Sequence, residues 1–250
     1  MATWQQLAEL TLSTEQIRRV DQIAIDKFHM SSLVLMENAA LGCVNWLVNR
    51  FVGKERQERD AGPRTTILCG RGNNAGDGLA IARHLRARGW PCTVAISVPP
   101  DRLSADSLAN LRILTAVSSE GISFFRDSIF DNSSPSPNVF RQELLASDLI
   151  VDAMLGTGAA GALRPPLDAW CDQANSSTAS RVAIDMPTGI DSESGHAYPN
   201  YFRADATLTF VARKPAMLRD ASLFGEISVL PIGLPCDMIA QVLQWPEFSC

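Results

Sequence analysis

Residues 65–78 read Thr65-Thr66-Ile67-Leu68-Cys69-Gly70-Arg71-Gly72-Asn73-Asn74-Ala75-Gly76-Asp77-Gly78, and a helical pattern continues from Leu79 to Arg88. Apolar and β-branched residues that end on a glycine-rich turn read as a strand. A helix follows rather than a second strand, so the unit is strand, turn, helix. The same alternation spreads outward. Further strand-like runs are Cys92 to Val98, Asp148 to Asp152, Arg181 to Asp185, Ala206 to Val211 and Ile227 to Ile232. Helical stretches lie between them at Ser104 to Ala116, Val139 to Ala146 and Leu167 to Ala174. Continuous apolar strands separated by helices predict an α/β fold, a mostly parallel sheet covered on both faces as a three-layer αβα sandwich.

Two helices precede the first strand. Ser13 and Gln16 form a capping-box pair, after which Ile17, Val20, Ile23 and Ala24 recur at helical spacing. Ser31-Ser32 caps a second helix whose stripe is Leu33, Met36, Ala40, Val44, Leu47 and Val48, with Glu37 and Asn38 set within it. The Ser, Pro and Asn cluster of residues 127–138 predicts a loop.

Of 250 residues, 46% are hydrophobic, a content that excludes a disordered or fibrous chain and gives ample material for a core; the length allows one large domain or two small ones, and loops from Gly70 to Asp191 that converge on one sheet edge predict a single domain. The 27 acidic and 22 basic side chains leave a net charge of −5, with no basic footprint for nucleic acid or an anionic membrane. Six dispersed cysteines without a CxxC pair indicate a reducing, cytoplasmic setting rather than a zinc or disulfide framework. No apolar run is long enough for a membrane span, and the N-terminal residues lack a secretory pattern. His29, His84 and His196 lack metal-ligand spacing and read as surface or packing residues.

In an open parallel sheet, ligands sit beyond the carboxyl ends of the strands. Three loops there are unusual. Gly70, Gly72 and Ala75 match G-x-G-x-x-A in the strand, turn, helix context that anion binding requires. However, no acidic residue closes the second strand, so the ribose acceptor of an NAD hydride-transfer site is missing. Asp77 puts a carboxylate where a diphosphate would lie, although a capping role suits it equally. A second loop carries Gly156, Gly158 and Gly161, and a third reads Asp185-Met186-Pro187-Thr188-Gly189-Ile190-Asp191. Asp152 and Asp185 each close a strand, where an Asp also serves as a turn former. Together the loops offer hard oxygen ligands for a cation, N–H groups for phosphate and a carboxylate for proton transfer. Cys69 reads as buried packing.

These residues resemble a known family. Leu35-Met36-Glu37-Asn38-Ala39-Ala40, the Gly72 to Gly78 loop, Asp152 to Gly161 and Asp185 to Asp191 with Gly195 look like the NAD(P)H-hydrate epimerases, or YjeF N-terminal domain proteins. Thr207 to Phe210, Lys214-Pro215 and Ile232 to Pro235 fit as well, so the likeness spans residues 13–235. It implies a Rossmann-like fold, usually a homodimer, that interconverts the R and S epimers of hydrated NADH and NADPH. Asn73, Asn74, Ala75, Gly76, Asp77, the run Gly156, Thr157, Gly158, Ala159, Ala160, Gly161 and Ala162, and Asp185 would then contact the dinucleotide. Asn74, Asp152 and Thr188 would hold one potassium ion per subunit. No redox cofactor is implied, because the hydrate is the substrate. The dehydratase domain of fused relatives is absent from the chain, so a separate ADP- or ATP-dependent dehydratase would be the functional partner.

Two positions depart from the family pattern. Ala75 stands where glycine is usual, which would strain a loop needing φ > 0 there. Thr188 replaces serine and adds a methyl group beside the cation site. Mechanistically, loss of the C6 hydroxyl is assisted by the ring nitrogen, and re-addition of water to the other face inverts the centre. Asp185 is the expected catalytic residue, shuttling the proton and stabilising the cationic intermediate. Lys214 could bind phosphate, but reads as a solvated strand-end lysine. The alternative functions are a non-catalytic nucleotide- or RNA-binding module of the same fold, and an NAD-dependent oxidoreductase.

Overall fold

A computed structural model describes residues 3–52, 62–124 and 137–243. Its elements run α1 (Trp4–Ala8), α2 (Thr14–Phe28), α3 (Ser32–Phe51), β1 (Thr65–Cys69), α4 (Asn73–Ala87), β2 (Cys92–Ile96), α5 (Ala105–Val117), β3 (Ile122–Phe124), α6 (Pro137–Ala146), β4 (Leu149–Ala153), α7 (Leu167–Asn175), β5 (Ser180–Ile184), β6 (Ala206–Phe210), α8 (Pro215–Arg219), β7 (Glu226–Leu230) and α9 (Cys236–Leu243). The strands form one sheet in the order β3-β2-β1-β4-β5-β6-β7, and every pairing is parallel. No described helix is long and apolar enough to cross a membrane.

Period-2 alternation divides the strand residues between two apolar layers. On one side Ile67, Cys69, Val151 and Ile184 pack with Val44 and Leu47 of α3, Leu79 and Leu85 of α4, and Leu111 and Leu114 of α5. On the other, Leu68, Ile150 and Ala183 pack with Phe140 and Leu144 of α6 and Trp170 and Cys171 of α7. A third cluster joins Ile17, Val20 and Ala24 of α2 to Val211 and to Met238 and Ile239 of α9. This places α2 beside the end of β6, within reach of the sheet's carboxyl edge. The Ser13 capping box is present and starts α2 in the expected register. The α3 stripe is rotated from its expected line. Leu35, Met36 and Ala39 are buried, whereas Leu33 is exposed at the corner between α2 and α3.

The turn after β1 is shorter than its sequence suggests. Helix α4 begins at Asn73, so Ala75 is helical and adopts no positive φ, which removes the strain anticipated there. Glycine at position 78 serves close packing instead. A Cβ there would lie 2.6 Å from the Ala153 side chain, so this helix can press against the sheet only without one. The short edge strand β3 gives no comparable sequence signal. Of the expected loop at residues 127–138, all but the last two lie outside the described residues, and Pro137 and Asn138 open α6. Cys250 also lies outside them.

Candidate active site

At the carboxyl edge, Asp152 is fully buried and held by three donors. Its Oδ1 accepts hydrogen bonds from Met154 N at 3.0 Å and Thr188 Oγ1 at 2.8 Å, and its Oδ2 accepts one from Thr188 N at 2.7 Å. Burial nevertheless pushes the carboxyl up to about 6, against those hydrogen bonds. Thr188 Oγ1 also accepts from Leu155 N at 3.0 Å. Asn74 donates Nδ2 to Leu155 O at 3.0 Å and to Ile184 O at 3.1 Å, leaving its Oδ1 buried with no hydrogen-bond partner. The three residues named from the sequence thus meet around the backbone of Leu155. An orphaned amide oxygen beside a carboxylate, a hydroxyl and carbonyls is a donor set that suits a hard cation. Among the described residues no group of three or more His, Cys, Asp or Glu could hold a metal.

Asp185 follows β5 with a positive φ of 65°, a strained backbone that aims its side chain into the cleft. Its N–H is tied to Leu208 O at 2.7 Å. Its carboxylate is fixed at both oxygens, Oδ1 by Lys214 Nζ at 2.7 Å and Oδ2 by Thr157 N at 3.0 Å. Gly156 lies against it, and a Cβ there would come within 2.9 Å of Oδ2.

Lys214 corrects the sequence reading. Far from solvated, it is 0% exposed, and its Nζ also donates to Thr209 Oγ1 and to Phe210 O. All three ammonium donors are therefore spent inside the protein, and the residue serves to anchor Asp185 rather than to bind phosphate. Asp77 is likewise no cap. It lies within α4 and is buried, and desolvation, then the neighbouring Asp185, Asp21 and Asp106, raise its carboxyl well above the usual range. The N-cap of α4 is Gly72, which supplies no side-chain bond; Ala75 N donates to Gly72 O at 3.0 Å, and the N–H groups of Asn73 and Asn74 are left for a ligand.

A cleft of about 540 Å³ opens over these groups. Asn73, Asn74 and Asp77 line it from α4, Gly156 to Ala159 from the loop after β4, and Asp185 and Lys214 from the far strands. Ala75 is buried in the core, and a Cβ on Gly76 would strike Met36, so neither presents a side-chain face to the cleft. Ala160 and Gly161 line a separate small recess with Tyr198, while Ala162 is exposed beyond it. A further wall comes from α2, through Ile17, Arg18, Asp21 and Ile25, beside Leu35, Met36 and Ala39 of α3. Sequence reasoning missed α2 here. The available signal was Asp21 itself, a charge four residues after Ile17 and three before Ala24 on an apolar stripe. Arg18 reaches across the cleft, its Nη2 lying 3.0 Å from where a Cβ on Gly158 would be.

The chain is 36% identical to the protein named NAD(P)H-hydrate epimerase of Pirellula staleyi over 231 residues, covering 92% of this chain and 95% of that one. It is 31% identical to the protein named bifunctional NAD(P)H-hydrate repair enzyme Nnr of Moorella thermoacetica, over 92% of this chain but 41% of that one. The crystal structure of yeast ynu0 shares the fold, with a TM-score of 0.74 at 20% identity over 93% of each chain. The family described as YjeF-related protein N-terminus matches residues 32–216, a stretch holding the cation-type oxygens, the glycine loops and the Asp185–Lys214 pair. On this match and these identities, the chain belongs to the YjeF-related N-terminal family.

Proposed function

We propose that this protein is an isomerase, an NAD(P)H-hydrate epimerase that interconverts the R and S forms of hydrated NADH and NADPH. The observation that carries the reading is the Asp185 carboxylate, strained, two-point anchored and facing a cleft built like a dinucleotide site. The cleft volume falls in the range of ligand pockets. The Asn73 and Asn74 N–H groups at the start of α4 and the Gly158 N–H supply partial positive charge for the diphosphate, and Arg18 adds a full one. A net charge of −5 is no obstacle, because the field that matters is local.

The chemistry needs no redox cofactor, since a C–O bond breaks and re-forms at constant oxidation state. The ring nitrogen lone pair expels the C6 hydroxyl, leaving an iminium-like cation. Asp185, kept as an acceptor by Lys214 and Thr157 N–H, stabilises that cation and takes a proton from the water that returns to the other face. Asn74, Asp152 and Thr188 would hold one potassium ion, whose charge supplements the anion-binding field. The extra methyl of Thr188 leaves its hydroxyl directed at Asp152. Relatives named as bifunctional repair enzymes support a dehydratase as functional partner. We take the active form as a cytoplasmic homodimer, which sedimentation and fractionation test.

The decisive experiment couples an S-specific dehydratase to a hydrate enriched in the R epimer, with and without this protein. Acceleration beyond spontaneous epimerisation is the expected result. Equal rates would overturn the assignment and leave a nucleotide-binding module.

A further inference from the structure

Inversion by loss and return of water asks for two proton transfers of opposite sense. The departing hydroxyl must gain a proton, and the entering water must lose one. In the resting cleft Asp185 is placed for the second task. Both of its oxygens already accept hydrogen bonds, from Lys214 Nζ and Thr157 N, so it meets the substrate as an acceptor and the first proton must come from another group. Lys214 is no better placed to donate, because its three N–H bonds are committed to Asp185, Thr209 and Phe210.

Three carboxyls besides Asp185 line the cleft, Asp21, Asp77 and Asp106, and of these only Asp21 has a buried oxygen without a hydrogen-bond partner. It comes from α2, between Ile17 and Ile25 on the face that lines the cleft. Its Oδ1 is buried and has no hydrogen-bond partner. It is not a structural counterion to Lys214, whose donors are spent, and it caps nothing, since it lies in the middle of its helix. We propose that Asp21 is the general acid of the cleft, a second catalytic carboxyl working with Asp185. This rests on the epimerase reading.

The step balances as follows. The O–H of the Asp21 carboxyl gives its proton to the C6 hydroxyl, the C–O bond breaks with its electron pair leaving on oxygen as water, and the nitrogen lone pair forms C=N. Water then adds to the opposite face, the new C–O bond takes the electron pair of water, and the proton released goes to Asp185. Return of that proton to Asp21 through solvent resets the pair, and in the reverse direction the same two groups exchange roles.

The surroundings favour a protonated Asp21. The charged groups that share the cleft with it are Asp185 after β5, Asp77 on α4, Asp106 on α5 and Arg18 on its own helix, with Lys214 and Arg71 as further cations in the lining. Burial first, then the charge of Asp185, raises the Asp21 carboxyl to about 6, Lys214 opposing. Two carboxyls kept in different protonation states by their environments are the pattern of an acid and base pair.

The test compares wild type, Asp21→Asn and Asp21→Glu in the dehydratase-coupled assay across about pH 5 to 8, after subtracting spontaneous epimerisation. Wild-type acceleration is expected to fall as pH rises past about 6. Asp21→Asn should lower kcat by about 10²–10⁴-fold with KM nearly unchanged, and should abolish that pH dependence. Asp21→Glu should restore part of the rate together with the pH limb, which guards against a folding defect in the Asn variant. A wild-type enzyme that accelerates strongly, beside an Asp21→Asn protein with the same rate and the same limb, would overturn the role of Asp21 alone. A wild type that accelerates at no pH would overturn the epimerase reading and this role with it.

Discussion

Lys214 shows how much a single residue's meaning depends on its surroundings. In the sequence it follows an arginine at a strand end and resembles any solvated surface cation. In the structure it is enclosed, and its charge exists for Asp185. Replacing one partner of such a pair strands the other, at a cost of about 3 kcal/mol. Lys214→Met is therefore expected to lower the denaturant midpoint strongly, while the double variant Lys214→Met with Asp185→Asn recovers part of the loss in the same unfolding assay. Asp21 makes the complementary point. Its carboxyl is raised from an ordinary 3.8 to about 6, so between those values the folded protein binds more protons than the unfolded chain. Native stability attributable to this group accordingly falls as pH rises through that window. Asp21→Asn should be more stable than wild type above about pH 7, by up to about 3 kcal/mol, and the gap should close toward pH 4. Urea melts at several pH values measure it, and a gap independent of pH would contradict the burial argument.

Among the elements, α4 is where local signals and tertiary packing diverge most. Its first six residues, Asn73-Asn74-Ala75-Gly76-Asp77-Gly78, are mostly poor helix formers and read as a loop, yet the helix includes them. Packing supplies what propensity lacks. This helix is sandwiched between α3, α5 and the sheet, with Ala75 and Leu79 to Ala82 fully buried. The glycines that looked like freedom for a loop are in part spacers for a helix. Gly78→Ala is expected to push α4 off Ala153, costing about 1–3 kcal/mol in a denaturation experiment and displacing Asn73 and Asn74 at its start. The strands, by contrast, were legible to within a residue or two, because buried parallel strands need continuous apolar runs. The edge strand Ile122–Phe124 was not, since three residues carry no period. Helix α2 was foreseen in place and capping but not in function, because its apolar stripe hid the two charges, Arg18 and Asp21, that line the cleft.

For the whole molecule, the cleft is a product of topology. β1, β4, β5 and β6 lie side by side, so the loops that follow them open at one edge although they span residues from Gly70 to Lys214. A cation held there would tie together α4, the end of β4 and the loop after β5, and its ligands do not stay gathered in the unfolded chain. Binding should thus appear as global stabilisation, about 2.7 kcal/mol at a hundredfold excess over Kd. We expect the melting temperature in potassium chloride to exceed that in a tetramethylammonium salt of equal ionic strength. Asn74→Ala should remove the difference, whereas equal melting in both salts for the wild type would count against the site.

The sequence by itself determined the parallel αβα architecture and the glycine loops, because strand periodicity and turn chemistry act over a few residues, while Asn74, Asp152, Asp185 and Thr188 were singled out as a set by the family resemblance. Only the tertiary structure decided which charges meet and in what medium. Asp185 is paired with Lys214 and faces Asp21 across long stretches of chain, and their desolvation follows from burial, which no local pattern encodes. The distinction between a surface lysine and an enclosed anchor, or between a helix-face aspartate and a buried acid, is one of surroundings.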